Sequence, residues 1–215
     1  MENRWYDFSA DIFEGIRNTV TATLLGFALG LAIGTVVAIF RLSPIRPLRT
    51  IAKLYTSLMV NSPLIFLMLF LFYGMPKLDL RPSSYQCAVI GLGLYLGGYS
   101  AEALRAGVNT VANGQAEAAR AIGLTFGQTL RHVVLPQALR SSIGPMGVLL
   151  NASFRNVAVA GAISFADVVF VSKRISEDTT DYYPMFAVQF LVIAALALLT
   201  SITASQLDRR FAVKR

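Results

Sequence analysis

Residues 115–140 read QAEAARAIGLTFGQTLRHVVLPQALR, the one long polar stretch between two apolar halves of the chain. Ala116, Glu117, Ala118, Ala119, Arg120 and Ala121 are good helix formers, and Gly123 supplies a stop just behind them. Thr125 offers a cap for a second helix, with Gln128 three residues on as its capping-box partner. Leu130, Val133, Val134 and Ala138 give that helix an apolar stripe, which Pro136 is expected to interrupt. The segment therefore reads as a helix, a tight glycine turn and a second amphipathic helix, held at a membrane surface between two spans. Small side chains let another backbone approach closely, so an alanine-rich knob of this kind suits a groove on a partner protein. A surface loop with a few helical turns is the alternative that the pattern leaves open.

The flanking halves belong in a bilayer. Of 215 residues, 55% are apolar and 14% charged, against roughly a quarter charged in soluble proteins, and the mean hydropathy is +0.58. The net charge of +7 does not indicate nucleic acid, because the basic residues neither gather on one helix nor interleave with a base-stacking motif. Cys87 is the only cysteine, which excludes an intrachain disulfide and makes a small core residue its expected role. Acids at Glu2, Asp7, Asp11 and Glu14 precede the first apolar run, so the basic start of a cleavable signal peptide is missing and the first span is expected to direct its own insertion.

A crossing helix needs about 20 apolar residues. One transmembrane domain over residues 1–215 is expected, with spans at Thr19–Phe40, Ile51–Tyr73, Tyr85–Leu104, Ser141–Asn156 and Pro184–Leu207. Val157–Val171 reads as a half-helix on the outer side after a break near Arg155, and Ser172–Tyr183 as a polar loop. Gly26, Gly30 and Gly34 form either a small-residue stripe for close helix packing or ordinary membrane-helix composition. The connections rich in Lys and Arg are Arg41–Lys53, Arg105–Arg140 and the tail Asp208–Arg215. Counting spans places all three on one side. The positive-inside bias then sets the N-terminus outside, the C-terminus in the cytoplasm, and residues 115–140 in the cytoplasm as well.

Charge inside a bilayer is costly and usually faces a cavity or a partner. Arg155 is the leading candidate for a transport pathway, since its guanidinium can receive a carboxylate through paired hydrogen bonds. Asn156 and the backbone freed at the break would add donors. The competing readings of Arg155 are a structural ion pair or a side chain reaching the outer interface. Asn61, Ser62 and Pro63 sit at similar depth in the second span, as a second wall of the pathway or a simple kink. Glu102 is expected to pair with Arg105 or with a basic residue of the 115–140 segment, and Asp167 to cap or gate the half-helix. His132 has no second His or Cys at metal spacing. A phosphate-binding Gly-x-x-x-x-Gly-Lys-Ser/Thr loop is absent, so no catalytic residue, metal or cofactor is assigned to this chain.

Glu117-Ala118-Ala119, Gly123 and Val133-x-Leu135-Pro136 together resemble the EAA signature of the membrane subunits of ABC importers. The longer string through Arg140 resembles the polar amino acid uptake branch, and the likeness runs from about Asn18 to Leu207. The resemblance implies an all-α membrane protein with five transmembrane helices and a cytoplasmic coupling helix, the type I ABC importer fold. It implies that Glu117, Ala118, Ala119, Gly123, Leu135 and Pro136 dock on separate ATPase subunits, which carry the ATP and Mg. It further implies a second permease subunit, an extracytoplasmic solute-binding protein, an amino acid substrate, surrounding lipid, and residence in a bacterial cytoplasmic membrane.

The family commonly has Arg-Gly-Thr-Pro where this chain has Val60-Asn61-Ser62-Pro63, and Lys-Asp-Thr-Ser where it has Arg155-Asn156-Val157-Ala158. Pro63 and a cation at Arg155 persist while most polar side chains do not, which favours a heterodimer whose partner supplies more of the pocket. The other function classes are an ion-coupled secondary transporter or channel subunit and an anchor for a cytoplasmic protein. A secondary transporter usually keeps a carboxylate in mid-membrane, whereas Glu102 and Asp167 both lie towards span ends.

Overall fold

The structure is a computed structural model that describes residues 4–180 and 182–211. Glu2, which entered the signal-peptide reading, and Lys214 and Arg215, which entered the reading of sidedness, lie outside the described residues. The regular structure within them is helical throughout. The first helix, α1 (Arg4–Leu42), has 39 residues and runs about 58 Å, so its N-terminal turns extend well beyond the apolar span that begins at Thr19. It stops at Ser43-Pro44, and α2 (Arg46–Asn61) starts with Pro47 in its first turn, where a missing N–H costs nothing.

Pro63 divides the second apolar stretch. The residue ahead of a proline is pushed out of the helical region, and Ser62 is extended at φ −89°, ψ 135°. The chain resumes in α3 (Leu64–Leu69), a π turn (Phe70–Gly74) and a 3-10 turn (Met75–Leu78). The two halves bend by 103°. The span expected over Ile51–Tyr73, with Pro63 as pathway wall or simple kink, is therefore a broken one.

Ser83 and Gln86 close a capping box at the start of α4 (Ser84–Asn109), the most enclosed helix of the bundle. Its small residues admit α1 on one side. A Cβ at Gly30 would lie 2.6 Å from Leu96 Cβ, and one at Gly34 2.5 Å from Ser100 Cβ, so the glycine stripe is a close-packing surface. Leu92 and Leu96 of α4 join Leu64 and Met68 of α3 in the main core, with Cys87 fully buried beside them.

The polar segment follows as α5 (Asn113–Ala121) and α6 (Phe126–Thr129), then a π turn (Leu130–Val134) that leads straight into α7 (Leu135–Asn156). Pro136 does not interrupt this helix. The turn ahead of it is widened by one residue, with the Leu135 N–H bonding the Leu130 carbonyl, and Pro136 takes a first-turn position where it has no N–H to satisfy.

The break after Asn156 differs from the half-helix read over Val157–Val171. A 3-10 turn (Val157–Ile163) ends at Ser164, whose φ is +56°, and α8 (Val168–Thr179) begins only after Asp167. Most of the stretch read as a polar loop, Ser172–Tyr183, is thus helix. Val168, Val171, Ser172 and Ile175 recur at helical spacing and are buried, while Ser176 and Thr179 return their hydroxyls to carbonyls four residues back. This buried face packs on the N-terminal part of α1: Asn18 donates to the Ala166 carbonyl at 3.0 Å, and the Val168 N–H to Thr19 Oγ1 at 3.0 Å. The last helix, α9 (Tyr182–Phe211), packs on α7 and α8 and leaves most of its surface open.

Candidate functional site

In the 115–140 segment the local geometry follows from the residue types. Helix α5 ends in a Schellman-type turn, with the Gly123 N–H on the Arg120 carbonyl at 2.9 Å and the Leu124 N–H on the Ala119 carbonyl at 3.1 Å. That turn needs φ +91° at Gly123, and a Cβ there would meet nothing within 4 Å. Backbone conformation alone therefore demands glycine. Thr125 and Gln128 complete the second cap, Thr125 N–H to Gln128 Oε1 at 2.9 Å and Gln128 N–H to Thr125 Oγ1 at 3.3 Å.

The result is a knob. Glu117, Ala118, Gly123 and Pro136 are exposed, Leu135 is half-buried and Ala119 is buried. The Gln137 amide donates to the Gln115 side chain and ties α5 to α7. Two apolar side chains missed by the sequence reading stand out from the knob: Ile122 is 81% exposed and Phe126 53%. Their signal was available, since each is a large apolar residue flanking a glycine turn on a segment otherwise polar.

Glu102 holds two arginines. It accepts from Arg41 at the end of α1 and from Arg105 at 2.9 Å. The second partner comes from α1 rather than from the 115–140 segment, because the close α1–α4 packing brings Arg41 alongside.

The proposed pathway residues separate into two places. The break at Ser62-Pro63 faces the break after Asn156 through Leu64, Met68, Val157, Ala160 and Ile163, an apolar contact. Asn61 is exposed and donates to the Ser57 carbonyl at 2.7 Å. Asn156 is half-buried at the end of α7. Arg155 faces α9 instead, where it lines a cleft of about 340 Å³ with Asn151, Ser201 and Asp208 among its polar residues. It also lines a wider cleft of about 610 Å³ with Phe186, Gln189 and Phe190. Neither cleft includes Asn61, Ser62 or Pro63. Arg155 is exposed and forms no ion pair among the described residues.

Asp167, in the turn beyond the fourth span, is fully buried and caps α8, its Oδ1 accepting from the Phe170 N–H at 2.8 Å. Burial raises its carboxyl from 3.8 to about 6, against the opposing pull of backbone N–H groups. A raised folded-state value favours the protonated form, so the stability it contributes is full below pH 3.8 and lost as pH rises through about 6. Asp167→Asn keeps the capping oxygen and removes the titration. Across that window wild type should lose about 3 kcal/mol relative to Asp167→Asn, measured by chemical unfolding at stepped pH, whereas Asp167→Ala should lose about 1 kcal/mol of capping throughout. A difference between wild type and Asp167→Asn that is flat with pH would contradict this.

An all-helical bundle with four long apolar helices and a fifth, broken crossing, carrying an exposed helix–turn–helix at one end, defines a multi-span membrane protein with a protruding contact element. Residues 16–213 match the family described as binding-protein-dependent transport system inner membrane component. The chain is 32% identical, over the whole of both chains, to the glutamate transport system permease protein GluC of Corynebacterium glutamicum. It is 28% identical to the probable glutamine ABC transporter permease protein GlnM of Bacillus subtilis, over 95% of each. A crystal structure of an amino acid ABC transporter with histidines superposes with TM-score 0.90 at 25% identity, over 96% of each chain. The MetNI methionine ABC transporter in an inward-facing conformation shares the fold, with TM-score 0.80 at 20% identity over 96% of this chain and 99% of that one. The chain belongs to this family: it has the type I ABC importer transmembrane fold and is the permease subunit of an amino acid ABC importer, a multi-pass protein of the bacterial inner membrane and not an enzyme.

Proposed function

We propose that this permease moves a polar amino acid, glutamate- or glutamine-like or basic, into the cell by alternating access. Separate ATPase subunits, which hold the ATP and Mg, grip the knob at Glu117–Gly123. The observation that carries the reading is the exposed, glycine-ended helix α5 with Ile122 and Phe126 beside it, an apolar tip that a cleft on a partner would cover. The basic connections support a cytoplasmic knob, an outer N-terminus and a cytoplasmic C-terminus. Closing of the ATPase pair draws two such knobs together and opens the outer side; hydrolysis resets it. The nucleotide must then favour one state over the other, with the knob transmitting that preference.

Arg155 is the residue proposed to meet the substrate carboxylate, because an unpaired guanidinium at the junction of two clefts needs an anion. Asn156 stands next to it at the end of α7, and Asn61–Pro63 act on the pathway indirectly, through the apolar contact between the two helix breaks. The exposure of α7 and α9 around Arg155 supports a second permease subunit there, with a heterodimer favoured. An outer solute-binding protein delivers the amino acid.

Uptake of labelled glutamate, glutamine, arginine and histidine into vesicles containing the complete transporter tests this. Uptake of at least one should require ATP, stop with an ATPase partner unable to hydrolyse it, and survive collapse of the proton gradient. Uptake that follows the proton gradient would instead establish a secondary transporter.

A further inference from the structure

Not every arginine and lysine on the side of the bundle where α1 ends is neutralised within the fold. Arg41 and Arg105 share Glu102, but Arg46, Arg49 and Lys53 are exposed and make no ion pair among the described residues. Spaced by three and four, these three occupy one face of α2, with Thr50 and Ser57 along the same stripe. The adjoining face carries Ile51, Leu54 and Leu58, all more than half exposed. The remaining face packs inward: Ala52 and Thr56 are buried, and Tyr55 donates to the Leu94 carbonyl at 2.7 Å.

Helix α2 has 16 residues, about 24 Å, short of the roughly 30 Å hydrocarbon core, and the chain then turns by 103°. It therefore sets an open apolar face and an unneutralised basic stripe side by side. It packs on α1 and α4, whereas α5 and α6 pack on the π turn ahead of α7, so the stripe lies on a different part of the bundle from the knob.

We propose that α2 is a binding site for anionic phospholipid of the cytoplasmic leaflet, headgroup phosphates on Arg46, Arg49 and Lys53 and acyl chains along Ile51, Leu54 and Leu58. A negatively charged lipid satisfies both faces at once. Free phosphate would meet only the stripe, and a soluble protein would bring no hydrocarbon to the apolar face. The proposal rests on membrane insertion and on the cytoplasmic placement of residues 41–53, and not on the identity of the substrate.

Lipid adducts of the complete transporter in detergent, counted by native mass spectrometry during titration with phosphatidylglycerol or phosphatidylcholine, test it without nucleotide or amino acid. Wild type should retain phosphatidylglycerol in preference to phosphatidylcholine, by about fivefold for each basic residue engaged. Arg46→Gln, Arg49→Gln and Lys53→Gln should lower that preference stepwise when combined, whereas the charge-conserving Arg46→Lys with Arg49→Lys should keep it. Equal retention of the two lipids by wild type would overturn the proposal. So would an undiminished preference in the triple glutamine variant, or loss of the ATPase subunits from that variant with lipid preference intact.

Discussion

Replacing Gly34 with leucine is expected to separate α1 from α4 and to leave little folded transporter. The obstruction is mostly backbone: a Cβ at Gly34 would sit 2.5 Å from Ser100 Cβ, 2.9 Å from the Ala101 nitrogen and 3.0 Å from the Gly97 oxygen. No rotamer change relieves it, so the helices must part, and with them the Arg41–Glu102 contact about two turns further along α1. Overpacking of this kind typically costs about 1–3 kcal/mol, and a backbone clash belongs at the upper end. Gly26→Ala should be milder, because the nearest atoms there belong to the Leu92 side chain, which can move. Gly127→Ala, where a Cβ meets nothing within 4 Å, should melt like wild type. Thermal unfolding of the detergent-solubilised protein reads the series. A Gly34→Leu protein that melts with wild type would mean that α1 and α4 are not packed this closely.

Gly123→Val should abolish coupled transport while leaving the bundle intact. The substitution meets no steric barrier in space; the cost is φ +91°, a region a β-branched residue avoids at about 1–3 kcal/mol. Helix α5 would then lose its Schellman end, and the positions of Glu117 and Ile122 relative to the capped turn at Thr125 would shift. Vesicle uptake is expected to fall at least tenfold, on the order of 1.4 kcal/mol or more in coupling, with insertion and melting near those of wild type. Glu117→Ala probes the same contact without backbone strain and should weaken capture of the ATPase subunits in pull-downs. Full uptake by Gly123→Val would detach the knob from the transport cycle.

Features set by near neighbours were legible in the chain. Hydropathy located the apolar runs, Gly123 and the Thr125–Gln128 pair located the knob, and the Arg155-Asn156 step located one break, whereas Pro63 pointed to a kink and not to the 103° turn it makes. Each is a statement about residues within a turn or so of one another, where φ, ψ and capping chemistry decide. The boundaries of α8 were misread because Ser176 and Thr179 look like loop residues until their hydroxyls are seen returned to the helix backbone.

What the sequence determined by itself is a helical membrane protein with a capped, alanine-rich projection between two spans. The tertiary structure decided which way each face turns: that Glu102 meets Arg41, 61 residues away, that Arg155 looks to α9 rather than to Asn61–Pro63, and that α2 leaves three cations uncovered. Those outcomes depend on how closely glycines let α1 approach α4 and on the 103° turn at Pro63. They follow from packing between distant helices, which local propensity along the chain does not encode.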